Sequence, residues 1–192
     1  MKILPFLVLA WLFLGAQGGL AEAFSISVGR MAVVPGLVFA LVAWIGVWAT
    51  VPAALWSAIL LGLACDLLWG YPKVGGVGGT AYIVGPNALG FFLAMQLILS
   101  LRGVMNRKNP MAYGVLAILG SVTAQAIVIA VLSVHRIYGD AIDWQASHEV
   151  GTRLAGSVYT GVVALVVSYL LLPLHGVMGF PAMAYRPGSR RF

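Results

Sequence analysis

The stretch LLGLACDLLWGYP, residues 60–72, sets one carboxylate, Asp66, in a run of leucine, alanine and glycine. The run reads as the end of a membrane-crossing helix, where an ionised side chain at the bilayer centre costs about 3 kcal/mol or more. The residues around Asp66 indicate where it points. Positions four apart share a helix face, and from Ala54 they read Ala54, Ala58, Gly62, Asp66 and Gly70. Leu55, Ile59, Leu63, Leu67 and Leu68 are directed elsewhere. A small-residue stripe lets helix backbones approach closely, and it marks a contact between helices rather than a lipid-facing surface. Asp66 is therefore expected to face inward, about 7–8 Å inside the outer end of its helix counted back from Tyr71. Tyr82 and Asn87, descending from the same side, are its expected hydrogen-bond donors. Burial with no cation in reach disfavours a bare charge, so the expectation is a neutral or hydrogen-bonded Asp66.

The rest of the chain has the same character. Of 192 residues, 61% are hydrophobic and 8% charged, with a mean hydropathy of +1.00. So few charges cannot supply the polar shell of a soluble domain. Apolar runs of about 18 or more residues cross a hydrocarbon layer roughly 30 Å thick. Segmenting at charges, prolines and glycines gives apolar stretches near 3–20, 32–50, 52–71, 79–100, 111–134 and 152–174. The expected fold is all-α: one polytopic membrane domain over residues 1–192, a compact bundle of about six transmembrane helices. Spans of helical length disfavour a barrel of alternating strands.

The net charge of +6 reads as topology and not as a nucleic-acid surface. With the N-terminus in the cytoplasm, Lys2, Arg102, Arg107, Lys108, Arg186, Arg190 and Arg191 fall inside. Arg30, Lys73, Arg136 and Arg153 fall outside, with the loop acids Glu22, Asp140, Asp143 and Glu149. That bias is the usual orientation signal, and it leaves both termini cytoplasmic. The opening segment, with Lys2, an apolar core and Ala21-x-Ala23, mimics a cleavable signal peptide. Its apolar length favours retention as a span. Cys65 is the sole cysteine, so no internal disulfide staples the outer loops.

Pro35 is expected in the first turn of the second span. Pro52 ends that span and opens the third, making a tight hairpin on the cytoplasmic side. The outer connection 135–151 repeats Ile137, Ala141 and Trp144 at helical spacing, with Ile142 beside them. It is expected to form a short amphipathic helix at the membrane surface, presenting Ile137, Ile142 and Trp144 to an outer partner. The segment 175–192 reads as a basic, irregular cytoplasmic tail that anchors topology or meets anionic lipid headgroups or a cytoplasmic partner.

Small-residue stripes recur elsewhere. Span six carries Thr152, Gly156, Thr160, Ala164 and Ser168; span five Ala117, Ser121 and Gln125; span four Gly90 and Ala94 near Asn87. Gly62, Asp66, Gly70, Asn87, Gly156 and Thr160 are the expected packing hub. Asp66 itself admits two readings, interhelical glue or a proton relay. A relay needs a chain of ionisable groups, and no other span is read as holding an interior acid or base, so glue is preferred. VGGVGG at 74–79 lacks the ending of a phosphate-binding loop. Asp140, Asp143, His148 and Glu149 show no recognised metal-ligand spacing. No serine stands in a nucleophile elbow. The expectation is therefore no catalytic residue, no metal and no cofactor.

Residues 32–100 carry a resemblance. PGLVFALVAWIGVW (35–48), the tight hairpin, GLACDLLWGYPKVGG (62–76) and GTAYIVGPNALGFFLAMQL (79–97) look like the rod shape-determining MreD family. Gly62, Asp66, Leu67 and Gly70 match its G-x-x-x-D-L-x-x-G element, and Val74-Gly75 stands where a Leu-Gly is expected; the added GVGG departs from the pattern. The resemblance implies a non-enzymatic component of bacterial cell-wall elongation in the cytoplasmic (inner) membrane. Its partners would be an MreC-like protein and the RodA-type glycosyltransferase with its transpeptidase, and indirectly the MreB filament. Another class competes: the substrate-binding subunit of an energy-coupling-factor vitamin transporter, which MreD resembles in fold. Such a subunit needs an outward pocket lined by aromatics and convergent polar groups, for which Trp69, Tyr71, Tyr82, Asn87 and Trp144 are candidates.

Overall fold

The computed structural model describes residues 1–28, 31–72, 80–106, 109–138 and 146–180. Six helices make up most of it: α1 (Ile3–Gly19), α2 (Leu37–Trp48), α3 (Val51–Leu68), α4 (Pro86–Leu101), α5 (Pro110–Ile137) and α6 (Ala146–Leu171). A 3-10 turn, Leu172–His175, follows α6. The helices α3 and α5, together with the segment Glu149–His175, are long and apolar enough to cross a membrane. The helices run alternately up and down. At one end, here the far end, α1, α3 and α5 finish and α2, α4 and α6 begin.

Helix α2 is the axis of the bundle. Every residue from Leu37 to Val47 is buried, as expected for a helix apolar on all sides. At 12 residues it is about 18 Å long, short of a bilayer's thickness. The bundle encloses it, with α1, α3, α4, α5 and α6 all packed against it. Two residues, Ala49 and Thr50, separate α2 from α3, so the tight hairpin read from Pro52 is present. Arg102, just past α4, closes that corner by donating to Gly46 O and Ala49 O at 3.0 and 2.8 Å.

Two short hairpins depart from the expected continuous spans. Strands β1 (Ile26–Val28) and β2 (Met31–Val33) pair antiparallel, with Ile26 opposite Val33. The helix expected from residue 32 therefore starts only at Leu37, and Pro35 precedes it instead of sitting in its first turn. The cause is local: a residue before proline is pushed to extended backbone, and β-branched Val33 and Val34 suit it. Strands β3 (Tyr71–Pro72) and β4 (Thr80–Ala81) pair in the same sense. The fourth helix accordingly begins at Pro86 and not at residue 79. Its start is set by Gly85 at φ 126°, a conformation glycine reaches without a side-chain clash, followed by proline at the first helical position.

The outer surface of the bundle is apolar. Trp11, Leu67, Val166 and Leu170 are all more than half exposed, as are Trp56, Val162 and Tyr169. Large contiguous apolar patches are rare on monomers in water.

Candidate functional site

Asp66 lies in the last turn of α3, fully enclosed at 0% exposure. With α3 ending at Leu68, it sits about 3 Å from the helix end, shallower than the sequence suggests. Four N–H groups donate to it. Asn87 N and Asn87 Nδ2 reach Oδ1 at 3.0 and 2.8 Å. Gly85 N and Ala88 N reach Oδ2 at 2.9 and 3.2 Å. These are the donors that open α4. A helix start leaves its first four backbone N–H groups without intrahelical partners. Here proline removes one, and Asp66 accepts the other three. Gly85, the cap residue, has no side chain to do so, and a carboxylate from the neighbouring helix takes its place. The same carboxylate faces the positive end of the α4 dipole.

The stripe that carries Asp66 packs as closely as its composition suggests. Ala54, Ala58 and Gly62 are buried with it. A Cβ at Gly62 would lie 2.6 Å from Ala88 Cα and from Asn87 O. Glycine at 62 therefore brings α3 onto the start of α4 and puts Asp66 within reach of its donors. Gly70 is half-buried, and a Cβ there would stand 2.9 Å from Thr80 Cβ, against the β3–β4 hairpin. Of the two expected donors, Asn87 is the one bonded to Asp66; Tyr82 is 59% exposed. Tyr71, not singled out as a donor from sequence, joins the network by accepting from Asn87 Nδ2 at 3.3 Å.

Gly156 and Thr160 form a second knot, where α6 meets the segment leading into α2. Thr160 Oγ1 accepts from Gly36 N at 2.7 Å and donates to Gly156 O at 2.7 Å. A Cβ at Gly156 would lie 3.2 Å from Val34 O. Gln17 of α1 holds the same turn from the other side, donating to Pro35 O and accepting from Leu37 N. Between α5 and α6, Ser121 and Ser157 share a buried hydrogen bond of 3.0 Å.

One polar group escaped the sequence reading. Arg153, assigned to an outer boundary, lies in α6 and pairs with Glu149 at 2.9 Å. It also donates to Gln125 of α5. The i, i+4 spacing of Glu149 and Arg153 was the available signal; the boundary drawn at residue 152 cut the pair apart. With Gln17, Asn87 and Tyr71, these residues line a cavity of about 460 Å³ at the far end, whose apolar lining includes Val38, Phe39 and Phe91. All six helices or their flanks contribute to it.

Of the residues expected on an outer partner surface, Ile137 ends α5 and is 81% exposed. Ile142 and Trp144 lie outside the described residues, as do Val74-Gly75, Asp140, Asp143 and the tail from 181. The part of 135–151 that is described belongs to the ends of α5 and α6. Comparison with models of known families, with curated proteins and with solved structures returned no match for this chain.

Proposed function

We propose that this chain is a non-enzymatic scaffold of the bacterial cytoplasmic membrane, of the MreD kind, that holds cell-wall elongation proteins together. Its partners in this reading are an MreC-like protein and the RodA-type glycosyltransferase with its transpeptidase, with the MreB filament reached indirectly. The observation that carries the reading is the employment of Asp66. A carboxylate offers about four acceptor positions, and four N–H groups of the adjoining helix start occupy them. An acid committed in this way is a structural clasp, not a relay waiting for a proton.

The residues that make the clasp, Gly62, Asp66 and the Gly85–Ala88 turn, belong to the segment on which the family resemblance rests. Six helices, three of them long and apolar enough to span, under an apolar exterior, support a multi-pass membrane protein. On this reading the near end, with Lys2 and Arg102, faces the cytoplasm, and the far end, with Glu149 and Arg153, faces outward. Purification of the tagged chain from its native membrane, with identification of what accompanies it, is the test. Recovery of wall-synthesis proteins is expected. Recovery of a pair of ATPases in their place overturns the scaffold in favour of the transporter subunit.

A further inference from the structure

We propose that the groove between the start of α1 and the segment after α6 binds an anionic phospholipid, with an acyl chain in the groove and the phosphate on Lys2. The inference goes beyond the scaffold reading and does not depend on it. At the near end, Pro5, Val8 and Leu9 form one wall and Leu174, Val177 and Met178 the other, around a cavity of about 270 Å³. All six side chains are apolar, which suits a hydrocarbon occupant. Val8 and Val177 are more than half exposed, on the same apolar exterior as Leu4 and Leu7. The groove therefore opens onto the surface that meets acyl chains.

Lys2 joins the two walls at their near end. Its backbone N–H donates to Met178 O at 2.9 Å. Its methylene stem lies along Gly179, where a Cβ would stand 3.1 to 3.4 Å from Cγ, Cδ and Cε. Glycine at 179 thus leaves the lane that the stem follows. A lysine whose stem rests on apolar surface keeps its charged head in the polar layer, and Lys2 is exposed. The chain's own acids do not compete for it. Glu22 follows α1, Asp66 ends α3, Asp140 and Asp143 fall in the connection from α5 to α6, and Glu149 opens α6. Each belongs to a segment at the far end. A cation at the mouth of an apolar slot matches a phosphodiester that carries acyl chains. A lipid of net negative charge is favoured there over a zwitterionic one by about fivefold, the worth of one lysine at an anionic surface.

The probe is dioleoyl phosphatidylglycerol, with dioleoyl phosphatidylcholine as its zwitterionic counterpart of equal chains. Native mass spectrometry of the full chain in detergent, titrated with each lipid, gives the affinity for the first lipid bound. Phosphatidylglycerol is expected to bind about fivefold more tightly. Lys2→Gln should bring the two lipids level. Val8→Trp, which fills the groove, should do the same, whereas Leu7→Trp, also exposed but outside the groove, should leave the preference as it is. Glycerol phosphate, the same anion without chains, should not displace the bound lipid. A preference below twofold in the parent chain overturns the proposal, as does a preference that survives Lys2→Gln or Val8→Trp. Displacement by glycerol phosphate overturns it too, since the chains would then add nothing. The lipid comparison uses the unmodified chain, so it stands even if a variant does not fold.

Discussion

Asp66→Asn isolates the charge and acceptor capacity of the clasp while keeping its shape. The amide replaces one acceptor oxygen with an NH2, which has only protons to offer. With the Asn87 side chain held as it stands, one pair of donors is stranded whichever way the new amide turns. If the NH2 stands at the Oδ2 position, Gly85 N and Ala88 N, now 2.9 and 3.2 Å from an acceptor, face another donor. The other orientation strands Asn87 N and Nδ2. A hydrogen bond to a charged group contributes about 1.5–3 kcal/mol, and interhelical bonds in membranes contribute less, about 0.6–2. Two lost bonds thus predict a loss of about 2–4 kcal/mol. Reversible unfolding in mixed micelles with increasing dodecyl sulfate, followed by tryptophan fluorescence, measures it. A loss below about 0.5 kcal/mol would mean that the four contacts do not hold α4 in place, and the clasp argument would fail.

Gly62→Ala should be more damaging than its single methyl suggests, since the new Cβ meets backbone of Asn87 and Ala88 that has no freedom to swing aside. Gly15→Ala, in α1 with open space around it, should be neutral or stabilise by about 0.5–1 kcal/mol through helix propensity, and the same micelle titration compares the two. Thr160→Val keeps the side-chain volume but removes the acceptor for Gly36 N; a loss of about 1–3 kcal/mol is expected, with faster hydrogen exchange at Gly36. A double-mutant cycle on Ser121→Ala and Ser157→Ala should return a coupling of about 0.6 kcal/mol, and zero coupling would remove that bond from the account of α5–α6 packing.

The helical bundle, the tight α2–α3 corner and the inward face of Asp66 were legible because each follows from a pattern within one segment. Helical periodicity put Asp66 among alanines and glycines, and a face of that kind belongs against another helix. The two hairpins were not legible. Val28, Val33, Tyr71 and Ala81 lie in apolar or glycine-rich sequence, and short apolar runs do not distinguish a strand from the start of a helix. Of the far-end cavity, Trp69, Tyr71 and Asn87 were candidates from the sequence, but its assembly from the other polar residues was hidden for a different reason. Gln17, Asn87, Gln125 and Arg153 come from four separate helices, and no spacing in the sequence links them.

The start of α4 explains why a charged residue stands in an apolar run at all. Between Ala81 and Pro86 the chain must turn from a hairpin into a helix, and Gly85 makes the turn at a φ of 126°. That conformation excludes the serine, threonine or aspartate that ordinarily caps a helix. Proline at 86 removes one orphan donor, but three backbone N–H groups remain. In a medium poor in water each would cost several kcal/mol if left bare. That total exceeds the roughly 3 kcal/mol charged against one carboxylate at the centre of a helix, and Asp66, near the end of α3, stands where the penalty is smaller. Gly62 and Asp66 therefore form one device with Gly85–Pro86–Asn87. The glycine brings the helices together, and the acid supplies the cap that the turn cannot provide for itself.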